Sequence, residues 1–383
     1  MKRLVLTIVA TVVYSFNTIT WAYDIAVEND DGVMIYYNYI NDGQELEVTW
    51  GGDRPAYGRQ DYPSKVVIPK EERYEGVSRK VTRIGTKAFW WCGGLTEVTI
   101  PDGVTSIGDQ AFGYSRLSSV NIPQGVTSIG EQAFYYCTWL TSVTIPNSVT
   151  WIGKQAFLNC HSVSSITIPN SVQSIEEYTF AHCALTSVTI PNSVTSIGDA
   201  AFWQCQRLTS VTILNSVTHI GEAAFKECYS LTSVTIGSGV TSIDKNAFGS
   251  CTRVEKVVSL IKDPFAIAGV FDEYIYDNAI LYVPQGTIDK YRATVSWNNF
   301  ATIKESDEDA VSEVKAVPVL IQADGNALRI EGAQAGTTIC VYDLCGRLIG
   351  QATATEGSTR VEVLTTEKVV VVRIGERCVK VAR

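Results

Sequence analysis

Ten cysteines and three histidines (His161, His182 and His219) are the residues of this chain whose types could do chemistry. Cys160 directly precedes His161, and His182 directly precedes Cys183, so a thiolate activated by an imidazole is the sharpest catalytic hypothesis. Neighbours in an extended chain point to opposite sides, which separates each thiol from its imidazole. The sequence also has no Gly-rich phosphate loop, nucleophile elbow or metal-spaced set of carboxylates. We therefore predict no catalytic residue, no metal site, no cofactor and no enzyme activity.

Seven of the cysteines occupy one position of a sequence repeat. A phenylalanine recurs eight times at steps of 22 or 23 residues, at Phe89, Phe112, Phe134, Phe157, Phe180, Phe202, Phe225 and Phe248. A cysteine follows it three residues later in seven copies, at Cys92, Cys137, Cys160, Cys183, Cys205, Cys228 and Cys251, and Ser115 takes that place in the other copy. Such a period predicts a solenoid, so equivalent side chains stack. We predict a structural ladder of buried thiols, because an odd number of cysteines in one column cannot fully pair as disulfides. Cys340, Cys345 and Cys378 lie outside it, and a bridge among them stays open.

Each repeat reads L-x-x-V-x-I-P-x-x-V-x-x-I-G-x-x-A-F-x-x-C. The segment 140–145 alternates apolar and hydroxyl residues, which predicts a half-buried strand, and Pro146 ends it because proline has no N–H for a ladder. Gly153 then offers a turn, and Ala156 and Phe157 fill the interior from a short helical or irregular turn. The predicted fold is mainly β: a solenoid of about eight repeats of 22–23 residues, followed by a small β-sandwich.

The consensus of the repeat, in which L-x-x-V-x-I leads into the motif IPxxVxxIGxxAF, resembles the BspA-like leucine-rich repeats of bacterial surface proteins over residues 66–258. The resemblance implies adhesion to host or bacterial surface proteins, with extracellular-matrix proteins as typical partners. Residues 23–65 are similar to the family's N-terminal β cap, and about nine extra residues between Ile68 and Val81 predict a surface hairpin. Residues 259–305 are similar to its C-terminal cap, in which the strand 280–283 closes the open edge.

The N-terminus predicts export. Lys2 and Arg3, an apolar run over 4–16 and the small-residue exit Thr20-Trp21-Ala22 are typical of a signal peptide over residues 1–22, too short to span a bilayer. The chain has 31 basic and 40 acidic residues, and removal of Lys2 and Arg3 leaves a net charge of −11. Because nucleic-acid binding needs clustered Lys and Arg, this balance argues against it. We expect a protein that is secreted or displayed on the cell surface at the outer membrane.

An acidic linker over 306–314 leads to residues 315–383, where apolar strands alternate with Gly-bearing turns. We predict strands at 317–322, 327–331, 338–342, 360–364, 369–374 and 378–382. The motifs VYDLCGRLI and VVVVRIGERCVKVAR resemble the C-terminal sorting domain of type IX secretion cargo, which directs passage across the outer membrane. Lys368 and Val370 replace the Gly and Tyr usual in that family, and an ordinary β-module is the alternative.

Two surfaces could bind a partner. Outward strand residues form hydroxyl columns, Ser119, Ser142, Ser165, Ser187, Ser210 and Ser233 beside Thr144, Thr167, Thr189, Thr212 and Thr235, which we interpret as β-propensity with hydrogen bonds between coils. The second surface varies from coil to coil and carries aromatic residues that follow the repeat phenylalanines: Trp90, Trp91, Tyr114, Tyr135, Tyr136, Trp139 and Trp203. Exposed rings often contact protein or sugar, although packing against the N-terminal cap or against neighbouring turns would also explain them. Adhesion is the leading function, and glycan capture and a structural spacer are the alternatives. We expect a monomer in which association along an edge stays open.

Overall fold

The computed structural model describes residues 23–51, 62–306, 320–324, 327–331, 338–342, 348–353, 358–363, 369–374 and 377–382. The predicted signal peptide, residues 307–314 of the predicted linker, Cys345, Lys368 and the side chain of Cys378 lie outside this description. The chain divides into two compact units between Glu305 and Ser306.

The first unit begins with an antiparallel meander of β1 (Ile25–Glu28), β2 (Met34–Ile40) and β3 (Glu45–Thr49). After β4 (Lys65–Val67), the predicted surface hairpin is confirmed as β5 (Glu71–Tyr74) paired with β6 (Val77–Ile84). The meander joins the solenoid because β3 pairs in parallel with β6. Alternate residues of β2 and β3 are buried, so this sheet covers the first coil.

Eight coils follow, and coils 1 to 8 are defined here by Phe89 to Phe248 in chain order. Their strands are short and lie on two faces: β7 (Glu97–Thr99), β8 (Ser106–Ile107), β9 (Ser119–Asn121), β10 (Ser128–Ile129), β11 (Ser142–Thr144), β12 (Trp151–Ile152), β13 (Ser174–Ile175), β14 (Ser196–Ile197), β15 (Ser210–Ile213), β16 (His219–Ile220), β17 (Ser233–Ile236), β18 (Ser242–Ile243) and β19 (Lys256–Ser259).

Parallel pairing occurs on both of these faces. The predicted strand forms one face, where β9 pairs with β11 and β15 with β17, and a single bridge between Thr167 and Thr189 continues the face between them. The two-residue strands form a second face, in which β6, β8, β10 and β12 are consecutive neighbours, and so are β13, β14, β16 and β18. The sequence pattern indicated only an apolar pair at this second position, because two residues are too few for a period.

The turn that carries each phenylalanine forms a third ladder between coils. The amide of Phe134 donates to the carbonyl of Ala156 at 2.8 Å, and the amide of Phe225 donates to that of Ala247 at 2.7 Å. The residues two before and two after each of the eight phenylalanines have φ between 50° and 63°, and none is glycine. This left-handed conformation is costly for a residue with a Cβ, so the ladder and the buried phenylalanine must hold it.

Gly153 has a different role from the predicted one. Its φ is not in the left-handed region, but a Cβ there would lie 2.6 Å from the amide nitrogen of Glu131 in the preceding coil. Gly130 and Gly221 meet the preceding coil in the same way. Glycine at this place therefore lets two backbones approach closely, while the turn is made by residues that carry side chains.

The interior is a continuous stack of rings. Successive repeat phenylalanines are fully buried and stack at centroid distances of 5.1 to 5.7 Å. Tyr62 stands 5.1 Å before the first ring, and Phe271 stands 5.4 Å after the last one. Burial of each ring contributes about 1.5–3 kcal/mol, but only when a neighbouring coil covers it.

The C-terminal end of the solenoid is closed by α1 (Glu273–Asn278), β20 (Ile280–Val283), α2 (Ile288–Ala293), a 3-10 helix (Trp297–Asn299) and β21 (Thr302–Glu305). The strand predicted at 280–283 is present as β20, but it does not close the edge. It lies between β19 and β21, so the last strand is β21. The sequence pattern missed β21 because its residues are mostly exposed and polar.

The second unit contains β22 (Leu320–Asp324), β23 (Ala327–Glu331), β24 (Thr338–Tyr342), β25 (Leu348–Thr353), β26 (Ser358–Glu362), β27 (Val369–Ile374) and β28 (Arg377–Ala382). They form two antiparallel sheets, in the orders β22–β23–β26 and β25–β24–β27–β28, which share one apolar core. We did not predict β25, because Gly350 interrupts its apolar pattern. A Cβ at Gly350 would lie 2.6 Å from the carbonyl oxygen of Glu362, so close packing requires this glycine.

Candidate functional site

The adjacent Cys–His pairs do not form thiolate–imidazole sites. Cys160 is fully buried, and its thiol donates to the carbonyl of Phe134 at 3.2 Å. His161 is exposed, and its Nδ1 lies 3.0 Å from the carbonyl oxygen of His182. The turn therefore sends the thiol inward and the imidazole outward, and the catalytic hypothesis fails on geometry. Among the described residues, no group of three His, Cys, Asp or Glu side chains could hold a metal ion.

The cysteines of the repeat stand in one buried column. Six of them are unbridged, and each thiol donates to the carbonyl of the phenylalanine one coil earlier at 3.1 to 3.4 Å: Cys137, Cys160, Cys183, Cys205, Cys228 and Cys251. Cys92 is buried at the N-terminal end, and the Ser115 hydroxyl lies 3.3 Å from the Cys137 sulfur. Burial raises the pKa of Cys137 and Cys205 to about 12. Cys137 and Cys205 are thus neutral donors within the core. Outside this column, Cys340 is buried.

The hydroxyl columns are exposed or partly exposed, but they do not make the expected bonds between coils. Within the described coils, Ser142 and Thr144 show no side-chain hydrogen bond, and the bonds come from two neighbouring columns that donate to backbone carbonyls. One column donates at 2.9 to 3.4 Å and consists of Thr96, Ser118, Thr141, Thr186, Thr209 and Thr232. The other donates at 3.0 to 3.3 Å and consists of Thr105, Thr127, Thr150, Thr195, Thr218 and Thr241.

Five of the predicted aromatic residues pack against one another along the turns of coils 1 to 3. Trp91 stacks on Tyr114 at 4.4 Å, and Tyr114 stacks on Tyr136 at 5.0 Å. Trp90 and Tyr135 lie beside this stack and contact Tyr114 edge-on at 5.0 and 5.3 Å. Trp91 and Tyr136 are exposed, whereas the other three are partly buried. Tyr114 thus has a stacked ring from each neighbouring coil, whereas Trp91 ends the stack with one stacked neighbour.

The same edge continues through two histidines that the sequence did not select as binding residues. The Tyr136 ring lies 6.5 Å from His161, His161 lies 5.9 Å from His182, and His182 lies 4.7 Å from Trp203. We call the whole row the aromatic ribbon: Trp90, Trp91, Tyr114, Tyr135, Tyr136, His161, His182 and Trp203. Burial and the nearby His161 lower the pKa of His182, so this ring is predominantly neutral at pH 7. The common spacing from the repeat phenylalanine could have identified His182, which occupies the same place as Trp91 and Tyr136.

Trp139 stands apart from the ribbon. It is the most exposed of the predicted rings, at 61%, and within the described residues it contacts no other ring. Trp151 and Tyr229 are exposed rings that the sequence did not select, at 41% and 39%.

His219 lies on the second strand face, where its Nδ1 is 2.9 Å from the Ser242 hydroxyl. The predicted site residues therefore form one ribbon plus a separate tryptophan.

The parallel coils, the short strands and the stacked interior define a leucine-rich-repeat solenoid with an aromatic edge. Residues 76–184 and 129–255 match the BspA type leucine rich repeat region in six copies. The match lies within the first compact unit and leaves the C-terminal unit outside it. No curated protein matches the chain. No helix among the described residues is long and apolar enough to span a bilayer.

Crystal structures of other repeat proteins are similar to this chain. A leucine rich cell surface protein from Faecalibacterium prausnitzii is 22% identical, with 76% of this chain and 97% of that chain covered and a TM-score of 0.30. A leucine-rich repeat protein from Bacteroides ovatus is 20% identical, with coverages of 71% and 98% and a TM-score of 0.34. The pneumococcal vaccine antigen PcpA is 13% identical, with coverages of 75% and 100% and a TM-score of 0.35. At these TM-scores the similarity carries no conclusion about function.

The thiol column predicts cysteines that do not react with alkylating reagents in the native protein. A thiol with a pKa near 12 is about 10⁻⁴ thiolate at pH 8, and its burial also blocks access. We expect iodoacetamide at pH 8 to leave Cys137, Cys160 and Cys205 unmodified in the native protein and to alkylate them after unfolding in guanidinium. Peptide mapping by mass spectrometry measures this at each site. Rapid native alkylation, or a disulfide between neighbouring coils, would contradict a buried thiol ladder.

Proposed function

We propose that this chain is a non-enzymatic, exported bacterial surface protein that binds a macromolecular partner through its solenoid. The partner class we propose is a host or bacterial surface protein, as in adhesion to extracellular-matrix proteins. The observation that carries this proposal is the aromatic ribbon, a row of eight rings along one edge of the coils. The BspA-type repeat region is consistent with a surface role.

The packing of the ribbon favours a protein partner. Trp91 and Tyr136 are held by ring contacts on Tyr114, so they lose little side-chain entropy when a partner covers them. Sugar rings usually need an open aromatic face, and the Tyr114 ring at the middle of the stack has Trp91 and Tyr136 stacked on it. Ring edges combined with the hydroxyls of Tyr114 and Tyr135 suit an irregular protein surface better.

The hydroxyl face is a weaker candidate for selective binding. Its middle coils repeat Ser and Thr without charge or variation, so each coil offers a partner the same contacts. A structural spacer would need only this uniform face and would not need the ribbon. The ribbon is therefore the feature that favours adhesion over a spacer function.

The proposed location rests on the two ends of the chain. We propose that residues 1–22 direct export and that the C-terminal unit acts as the type IX sorting domain it resembles. The two antiparallel sheets of that unit with a shared core suit a separate β-module. Fold alone does not assign a sorting role, so this part of the proposal depends on the sequence resemblance.

Replacing exposed ribbon residues should weaken partner binding. We expect the double variant Trp91→Ala and Tyr136→Ala of the mature chain to lose about tenfold or more in affinity for its matrix protein, since truncated aromatic anchors dominate many interfaces. The partly buried Trp90 and Tyr135 are left in place to preserve packing. Immobilised matrix proteins and a glycan array, with binding read by surface plasmon resonance, provide the measurement.

The matched control is the double variant Ser142→Ala and Ser165→Ala on the hydroxyl face, which should bind as the wild type does. A larger loss in this control than in the ribbon variant would contradict the proposed site. Binding to sugars alone would favour glycan capture, and binding to neither class would favour the spacer.

Removal of residues 313–383 should abolish surface display if the C-terminal unit sorts the protein. We expect the truncated chain to accumulate in the periplasm, because passage across the outer membrane would lack its signal. Cell fractionation with immunodetection of the solenoid measures this. An unchanged surface fraction would contradict the sorting role and would leave the ribbon proposal intact.

A further inference from the structure

A compact polar and aromatic cluster lies on the turns of coils 6 and 7, where the ribbon ends at Trp203. The Glu227 carboxylate accepts a hydrogen bond from the Gln204 amide at 2.7 Å and another from the Tyr229 hydroxyl at 3.1 Å, both at Oε2. Trp203 precedes Gln204 in the chain and interacts with the same carboxylate. We call Trp203, Gln204, Glu227 and Tyr229 the Glu227 cluster.

The cluster holds its groups in fixed positions. Glu227 is only 19% exposed, and burial acts to raise its pKa. The surrounding donors of Trp203, Tyr229 and Gln204 outweigh that effect and lower the pKa, so the group is an ionised acceptor at neutral pH. The hydrogen bond to Glu227 also orients the Tyr229 ring.

Tyr229 is about as exposed as Trp91 and Tyr136, and it differs from these ribbon rings in having no ring neighbour among the described residues. The cluster therefore combines an exposed aromatic ring that no other described ring covers with a carboxylate and an amide at hydrogen-bonding distance. Trp139 has an open ring as well, but no side-chain hydrogen-bonding group is joined to it among the described residues, so it lacks the polar half of this arrangement.

The charges near the cluster argue for a neutral ligand. The Lys226 ammonium lies 3.6 Å from Oε1 of Glu227, so the carboxylate charge is partly compensated and an added cation gains little. An anion would face the carboxylate directly. A molecule that offers an apolar ring face and several hydroxyls, but no charge, matches both the ring and the polar groups.

We propose that the Glu227 cluster is a binding subsite for a neutral oligosaccharide. A sugar ring lies on the exposed face of Tyr229, and its hydroxyls donate to Oε1 of Glu227 and exchange hydrogen bonds with the Gln204 amide. Such a site rejects analogues without the hydroxyls, because the buried carboxylate would lose partners. This subsite shares Trp203 with the ribbon, but it is tested at Tyr229 and Glu227, whereas the ribbon is tested at Trp91 and Tyr136. Either proposal can therefore fail without the other.

Calorimetric titration of the mature full chain with four neutral hexaoses tests the proposal: cellohexaose, laminarihexaose, xylohexaose and maltohexaose. We expect saturable binding of at least one of them in the micromolar to millimolar range. Tyr229→Ala should weaken that binding about tenfold, since it removes the ring. Tyr229→Phe keeps the ring but loses the bond to Glu227, and a loss of only about two- to fivefold is expected. Trp139→Ala is the matched control for an exposed ring outside the cluster and should bind as the wild type does.

Three results would overturn the proposal. The first is no saturable heat from any of the four hexaoses with the wild-type chain. The second is wild-type affinity in both Tyr229 variants, with thermal melting to confirm that they fold. The third is binding of choline or trimethyllysine in place of the sugars, abolished by Glu227→Gln, which would identify a cation site.

Discussion

The hydrogen-bond ladder at the phenylalanine turn is the constraint on which the rest of the solenoid depends. A single coil buries its Phe, Cys and aliphatic side chains only when the next coil lies directly against it. The turn ladder fixes that distance, since every repeat phenylalanine donates its amide to the following coil. The strands of both faces are short, and between β11 and β15 the first face is reduced to a single bridge, Thr167 to Thr189. The strands alone could therefore not hold the register of the coils.

This ladder also explains which residues the edge can carry. Alternate amides of the turn donate to carbonyls of the following coil. This direction requires a left-handed backbone conformation two residues before and two residues after each phenylalanine. β-branched residues tolerate that conformation poorly, and proline cannot adopt it. The sixteen positions contain Lys, Gln, Tyr, Ala, Asn, Trp, His, Glu and Ser, and no Val, Ile, Thr or Pro. The turn thus places unbranched, long or aromatic side chains at the edge, where both the ribbon and the Glu227 cluster lie. The interior needs uniform residues, and the edge is where variation is allowed.

The sequence predicted the features that repeat with a detectable period. The solenoid, the thiol column and six of the seven described C-terminal strands follow from spacing and alternation, and β23, β24 and β27 have the predicted bounds. The strand at 280–283 follows from its apolar pattern. The second strand face was missed because two residues carry no period, and β25 was missed because Gly350 breaks the alternation. The hydroxyl hydrogen bonds between coils were predicted for the outward Ser and Thr columns, but they are made by the neighbouring columns that begin at Thr96 and Thr105. The sequence does not show which hydroxyl reaches a backbone carbonyl. The ribbon residues were named, yet their mutual stacking and the isolation of Trp139 depend on side-chain packing between coils. Tyr229 was not selected, although it lies four residues after Phe225 and Trp139, which was selected, lies five residues after Phe134.

Hydrogen exchange at the turn amides tests the central claim most directly. The full mature chain would be exchanged under native conditions and read at the amides of Phe134, Phe157 and Phe225 against the strand amides of coils 3 to 7. If the turn is a ladder between coils, these amides are protected to the same degree as the strands and open together with them. Exchange of the phenylalanine amides at the rate of an unprotected loop, while the strands stay protected, would contradict the account.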